Sequence, residues 1–146
     1  MMMRLLLTAA VLAIGVSGVS AQQDPVAARK AIMKKNGDEA KVGAAMVKGE
    51  TPFDLAKAKT IFATFASASD KAKNLFPDTA KTGEKSTASP KIWENKSDFD
   101  ARLAKLGKDA KAAGASVTDL ASFKTAFASV GKDCGGCHKE YRIKKD

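Results

Sequence analysis

The two cysteines and the one histidine of the chain fall together in Cys134-Gly135-Gly136-Cys137-His138. C-x-x-C-H is the attachment signature of c-type haem. On a helix, Cys134 and Cys137 are three positions apart and His138 is four beyond Cys134, so both sulfurs and the imidazole line one face. Thioether bonds from Cys134 and Cys137 to the haem vinyl groups would fix the porphyrin edge against this turn, with His138 under the iron as proximal ligand. Gly135 and Gly136 leave room for a flat macrocycle against the backbone. Their helix penalty, about 1 kcal/mol each, is one that a covalent haem can offset.

Other chemistries of the same residues fit less well. A disulfide across so short a loop adds little loop-closure stabilisation and leaves His138 without a role. A redox dithiol needs C-x-x-C at the start of a helix in a βαβ setting, where the dipole lowers the thiol pKa. Here the motif lies near the end of a helix in a chain that reads as all-α. Zinc takes four ligands as a rule, and the spacing nominates no carboxylate to complete two cysteines and a histidine.

The elements that must position this motif are marked by prolines. Asp24-Pro25, Thr51-Pro52 and Ser89-Pro90 each read as a capping residue followed by the first helical position, where a missing N–H costs nothing. A fourth start lies at Ser116-Val117-Thr118-Asp119, with Ser or Thr as cap and Asp119 at the positive end of the dipole. The spacing predicts helices over about 25–47, 52–76, 90–113 and 118–143, each roughly 35 Å long. In the last, Phe123, Phe127, Val130, Cys134, Cys137 and Tyr141 recur at helical intervals, so the chemical motif sits on the core stripe. Ile92, Phe99, Leu103, Leu106, Ala110 and Ala113 form a stripe in the third helix. Leu55, Ile61, Phe62, Phe65 and Ala68 form one in the second. Matched helices with short turns predict an all-α, antiparallel up-down four-helix bundle holding one covalent haem. Pro77 to Ala88 reads as a longer, mobile polar loop.

The chain has 146 residues and a formal net charge of +9. Residues 1–21 read as a cleaved secretory signal peptide: Arg4, an apolar run from Leu5 to Ile14, and Val19-Ser20-Ala21, whose last and third-last residues suit signal peptidase. Residues 22–146 then form one cytochrome domain, periplasmic and with no stable membrane insertion. The basic surface suits redox partner proteins with acidic docking surfaces. The lysines are spread along the chain, and export removes nucleic acid from the expected partners.

With its motif at the end of the fourth helix, the chain resembles the cytochrome c′ family, the class II c-type cytochromes. In class I cytochromes c the motif lies near the N-terminus. The resemblance rests on the Gln22-Gln23-Asp24 start, Arg29-Lys30-Ala31-Ile32-Met33, Lys34-Lys35-Asn36-Gly37, Ser89-Pro90-Lys91-Ile92-Trp93 and Cys134 to Arg142. It looks closest to the low-spin cytochrome c-556 group, in which a methionine of the first helix is the sixth iron ligand. The matching residue here is Met33.

Arg29, four residues before Met33 and so on the same face one turn away, is expected near a haem propionate, with a solvated surface arginine as the alternative, and the resemblance further implies that Trp93 packs beside the haem. Tyr141 and Arg142 would shield His138, and a homodimer through the first two helices is a family habit. The residues themselves agree on one point. Met33 and Met46 point to roughly opposite sides of a helix and differ by about 20 Å in height, so only one can face a haem at a given level. The implied function is a mono-haem electron carrier with His/Met ligation, not an enzyme. The alternative is a five-coordinate, high-spin member that binds nitric oxide or carbon monoxide, with Met33 merely filling the core.

Overall fold

A computed structural model describes residues 24–81 and 86–144. The expected leader, residues 1–21, lies outside the described residues. The helices are α1 (Pro25–Lys48), α2 (Leu55–Ala72), α3 (Lys91–Glu94), α4 (Lys96–Ser116) and α5 (Leu120–Tyr141), with a 3₁₀ turn at Asp78–Ala80. α1, α2, α4 and α5 form the antiparallel four-helix bundle, α3 being a single turn leading into α4. Among the described residues no helix is long and apolar enough to cross a membrane.

Local chemistry sets the helix ends. Asp24 accepts from the Val26 N–H at 2.9 Å, with Pro25 in the first turn, as expected. α1 stops at Gly49, whose φ of 77° is the left-handed conformation that glycine adopts without strain. α2 begins at Leu55, three residues after Pro52, because Asp54 is its cap and accepts from the Lys57 N–H at 2.9 Å. It ends at Ala72, short of the expected 76; Pro77 disfavours helix at Phe76 just before it.

The expected third helix is two pieces. Asn95, at φ −132° and ψ 56°, closes α3 by donating to the Lys91 carbonyl and opens α4 by accepting from the Phe99 N–H. Ser89 Oγ accepts from the Lys91 N–H at 3.3 Å, but α3 begins at Lys91, with Pro90 rather than Ser89 in the capping position. For α5 the cap is Asp119 rather than Ser116 or Thr118, in a capping box with Ser122.

The buried side chains fall into two clusters. One joins Met46, Ile61, Phe62, Phe65, Leu106, Phe123 and Val130, with Phe62 and Phe123 edge to face at 5.7 Å. The other joins Phe76, Ile92, Phe99, Leu103 and Tyr141, with Phe99 and Tyr141 edge to face at 5.3 Å. All six expected apolar positions from Ile92 to Ala113 are buried, whereas Leu55, at the exposed first turn of α2, is 37% exposed. α2 and α4 pack most extensively, Ser69 Oγ donating to the Leu103 carbonyl at 2.5 Å, and α1 packs less on α5 than on α2.

The segment read as a mobile loop is tied down where it is described. Ala80 is buried, the Ile143 N–H donates to the Thr87 carbonyl at 2.8 Å and the Ser89 N–H to the Tyr141 carbonyl at 2.9 Å. Ala88 and Arg142 form an antiparallel bridge between these two bonds.

Candidate functional site

The C-x-x-C-H turn lies in the last two turns of α5. Cys134 packs against the first apolar cluster and Cys137 against the second, so the two half-buried sulfurs straddle the seam between them. No disulfide joins the two sulfurs. Burial pushes both thiol pKa values up, with Asp133 adding to the rise at Cys134 and Arg102 opposing it at Cys137. A reactive dithiol needs the opposite shift. Partial desolvation, and then the Arg142 charge, pull the His138 pKa down although the residue is exposed. A neutral imidazole is the form that ligates a metal.

Facing α5, α1 has a gap in its packing. Its buried residues are Ala28, Arg29, Gly43 and Met46, so none lies between Arg29 and Gly43. In that span Ile32, Met33 and Asn36 are half-buried at helical spacing, and Ile32 and Met33 pack against neither apolar cluster, whereas Ala40 packs against the first. Asn36 Oδ1 is buried without a hydrogen-bond partner among the described residues. Met46 is only 2% exposed and belongs to the first cluster, which removes it as an iron ligand facing this gap.

The register of the two helices is fixed at Gly43, where a Cβ would stand 2.4 Å from Cε2 of Phe127. Because the helices are antiparallel, Met33 lies about 15 Å along α1 from that contact and Cys137 about 15 Å along α5 in the same direction. Met33 and the Cys137-His138 pair are therefore at one level of the bundle.

Arg29 is not a solvated surface residue. It is 5% exposed, and its guanidinium donates through Nη1 to the Leu75 carbonyl at 3.2 Å and the Ala80 carbonyl at 3.0 Å, and through Nη2 to Ser86 Oγ at 3.0 Å. It stands 5.0 Å from the Phe76 ring centroid and 5.9 Å from that of Trp93. Burial lowers its pKa, the Asp24 charge opposing, but a guanidinium stays protonated in water. Trp93 is half-buried, and its indole N–H donates to the Phe76 carbonyl at 3.2 Å.

Two residues of α4 join the site that spacing alone did not nominate. Asp98 Oδ2 accepts from the Tyr141 hydroxyl at 2.5 Å and from Arg102 Nε at 2.6 Å. Arg102 Nη1 reaches the Gly136 carbonyl, inside the motif, at 3.5 Å. Burial and the Asp98 carboxylate push the Tyr141 pKa up to about 12, and Tyr141 and Arg102 hold the Asp98 carboxyl below its usual range. The Tyr141 hydroxyl is thus spent on Asp98, and the ring packs in the second cluster, rather than acting only as a screen for His138. The Asp98/Arg102 pair at helical spacing was visible in the sequence; its partners were not.

These features fit a haem. The sulfurs lie at the seam with the exposed His138 on the same helical face, Ile32 and Met33 of the opposite helix pack against neither cluster, and Arg29 is a buried cation with no carboxylate bonded to it among the described residues.

A family model described as Cytochrome C' matches residues 24–142. The cytochrome c′ of Rhodopseudomonas palustris is 41% identical over 145 residues, covering 99% of each chain. A cytochrome c-556 of Agrobacterium fabrum is 44% identical over 118 residues, covering 80% of each. The solved structure of a cytochrome c′ from Rhodopseudomonas palustris superposes with a TM-score of 0.82 at 44% identity, covering 86% of this chain and 100% of that one. The chain belongs to the cytochrome c′ family and is a c-type cytochrome, an electron carrier whose cofactor is covalently bound haem c.

Proposed function

We propose that this chain is a periplasmic, low-spin, mono-haem electron carrier in which Cys134 and Cys137 form the thioethers, His138 is the proximal ligand and Met33 the distal ligand. The observation that carries the reading is the register set by Gly43 and Phe127, which brings Met33 level with His138. Haem iron supplies a one-electron couple, and thioether ligation raises its potential. His138 and Met33, each on a long helix anchored at both ends, hold nearly one geometry in both oxidation states.

The remaining donors of Arg29, Nε and one N–H of Nη2, suit a propionate, and Trp93 would flank the same edge. Gly131, Gly135 and Gly136 leave an exposed face of α5 low, and the exposed Lys132 and Lys139 border it without a carboxylate partner among the described residues. That surface suits an acidic partner approaching the haem edge. Val42, 42% exposed on α1, fits a homodimer through the first two helices.

The five-coordinate, gas-binding reading stays as the second, because relatives named cytochrome c′ match as closely as those named c-556. The visible spectrum tests both. A low-spin spectrum with a methionine-to-iron charge-transfer band, unmoved by carbon monoxide on reduction, supports the carrier. A high-spin spectrum that shifts with carbon monoxide supports the gas binder.

A further inference from the structure

α1 is fastened at two separated places by two kinds of force. Near its C-terminal end Gly43 and Met46 pack into apolar neighbours, while near its N-terminal end the buried residues are Ala28 and Arg29. Ile32 and Met33 belong to neither buried cluster. Among the described residues, the polar grip of Arg29 is therefore the main fastening that the chain itself supplies to the helical turn that precedes Met33.

That grip runs on to the far side of the bundle. Ser86 Oγ accepts from Arg29 Nη2 at 3.0 Å and also from the Ala88 N–H at 3.3 Å. The next residues pair with the tail of α5, through Ile143 N–H to the Thr87 carbonyl and Ser89 N–H to the Tyr141 carbonyl. The Arg142 N–H, between them, closes the last turn on the His138 carbonyl at 3.1 Å. One hydroxyl thus joins a side chain of α1 to the backbone that finishes the His138 turn.

We propose that Arg29, Ser86 and the Thr87–Ser89 clasp form a polar brace that couples the Met33 end of α1 to the His138 end of α5, making Arg29 a positioning residue for the distal ligand. The brace rests on the His138/Met33 reading for its purpose but not for its existence. Its physical basis is that the Arg29 and Ser86 links are buried or half-buried hydrogen bonds, and cutting one leaves donors without partners. Released at this end, α1 loses the fastening that the chain supplies near Met33, and the thioether spends less time in place.

The test is amide hydrogen exchange and carbon monoxide binding on the reduced haem protein, comparing wild type with S86A, R29Q and R29K. S86A cuts the joint while removing one small hydroxyl, so it serves even where R29Q fails to fold. The expected result for S86A is exchange at Ser89 and Ile143 about tenfold faster, equivalent to about 1.4 kcal/mol of local opening, with Phe62 in the core unchanged. Carbon monoxide should bind faster, and R29K should restore part of the protection lost in R29Q. Unchanged exchange at Ser89 and Ile143 would overturn the brace. Faster exchange with unaltered carbon monoxide binding would overturn its link to the distal ligand. If wild type already binds carbon monoxide freely, Met33 is not the ligand and the positioning role falls with it, while exchange still decides whether the brace exists.

Discussion

Gly43 of α1 and Phe127 of α5 interlock so closely that a Cβ on Gly43 would lie 2.4 Å from one ring carbon and 2.7 Å from another. This contact sets the heights of the two helices that carry Met33 and His138. Gly43→Ala should cost about 1–3 kcal/mol by overpacking and loosen the distal site; Phe127→Leu in the same chain should recover part of the loss. Denaturant unfolding of the single and double variants measures both, and full stability in the Gly43→Ala variant would show that the contact is not tight.

Met46 fills the first apolar cluster, so Met46→Leu, a swap of similar volume, should cost less than about 1.5 kcal/mol and leave the visible spectrum as it was. A lost methionine charge-transfer band in that variant would move the ligand assignment from Met33 to Met46.

Removing the imidazole tests the other face of the iron. His138→Ala should retain the thioethers yet lose normal axial ligation, with a changed spectrum and a lower potential. Redox titration and spectroscopy of the purified variant check this, and survival of both signals would remove His138 as proximal ligand.

The Tyr141-Asp98 bond predicts opposite behaviour at the two ends of the pH scale. The Tyr141 pKa is raised from 10.0 to about 12 on folding, so its contribution is complete below pH 10 and is lost as pH rises through about 12. The Asp98 pKa is lowered from 3.8, so its contribution is present above that value and is lost as pH falls through the lower folded pKa. Urea unfolding of wild type and Tyr141→Phe should differ at neutral pH and converge towards pH 12. A constant gap across that range would mean that the hydroxyl proton is not what the fold holds.

Much of this is legible in the sequence because it is local. Asp24 caps the helix that its proline announces, and the α5 stripe carries the cysteines to the bundle seam as the spacing requires. The break at Asn95 is hidden, since Ile92 and Phe99 are seven apart and keep one face across the interruption. The start of α2 differs from the expected one because Thr51 and Asp54 are both cap residues and only the fold selects between them. The partners of Arg29 and Asp98 are beyond reach for another reason: they lie tens of residues away, at Ala80, Ser86 and Tyr141, where only chain topology brings them together.

The most direct test of His138/Met33 ligation is carbon monoxide binding by reduced wild type and Met33→Ala. With Met33 on the iron, wild type stays low-spin and ignores the gas, whereas Met33→Ala keeps its haem, turns high-spin and binds it. Identical spectra and identical binding in the two proteins would contradict Met33 as the distal ligand.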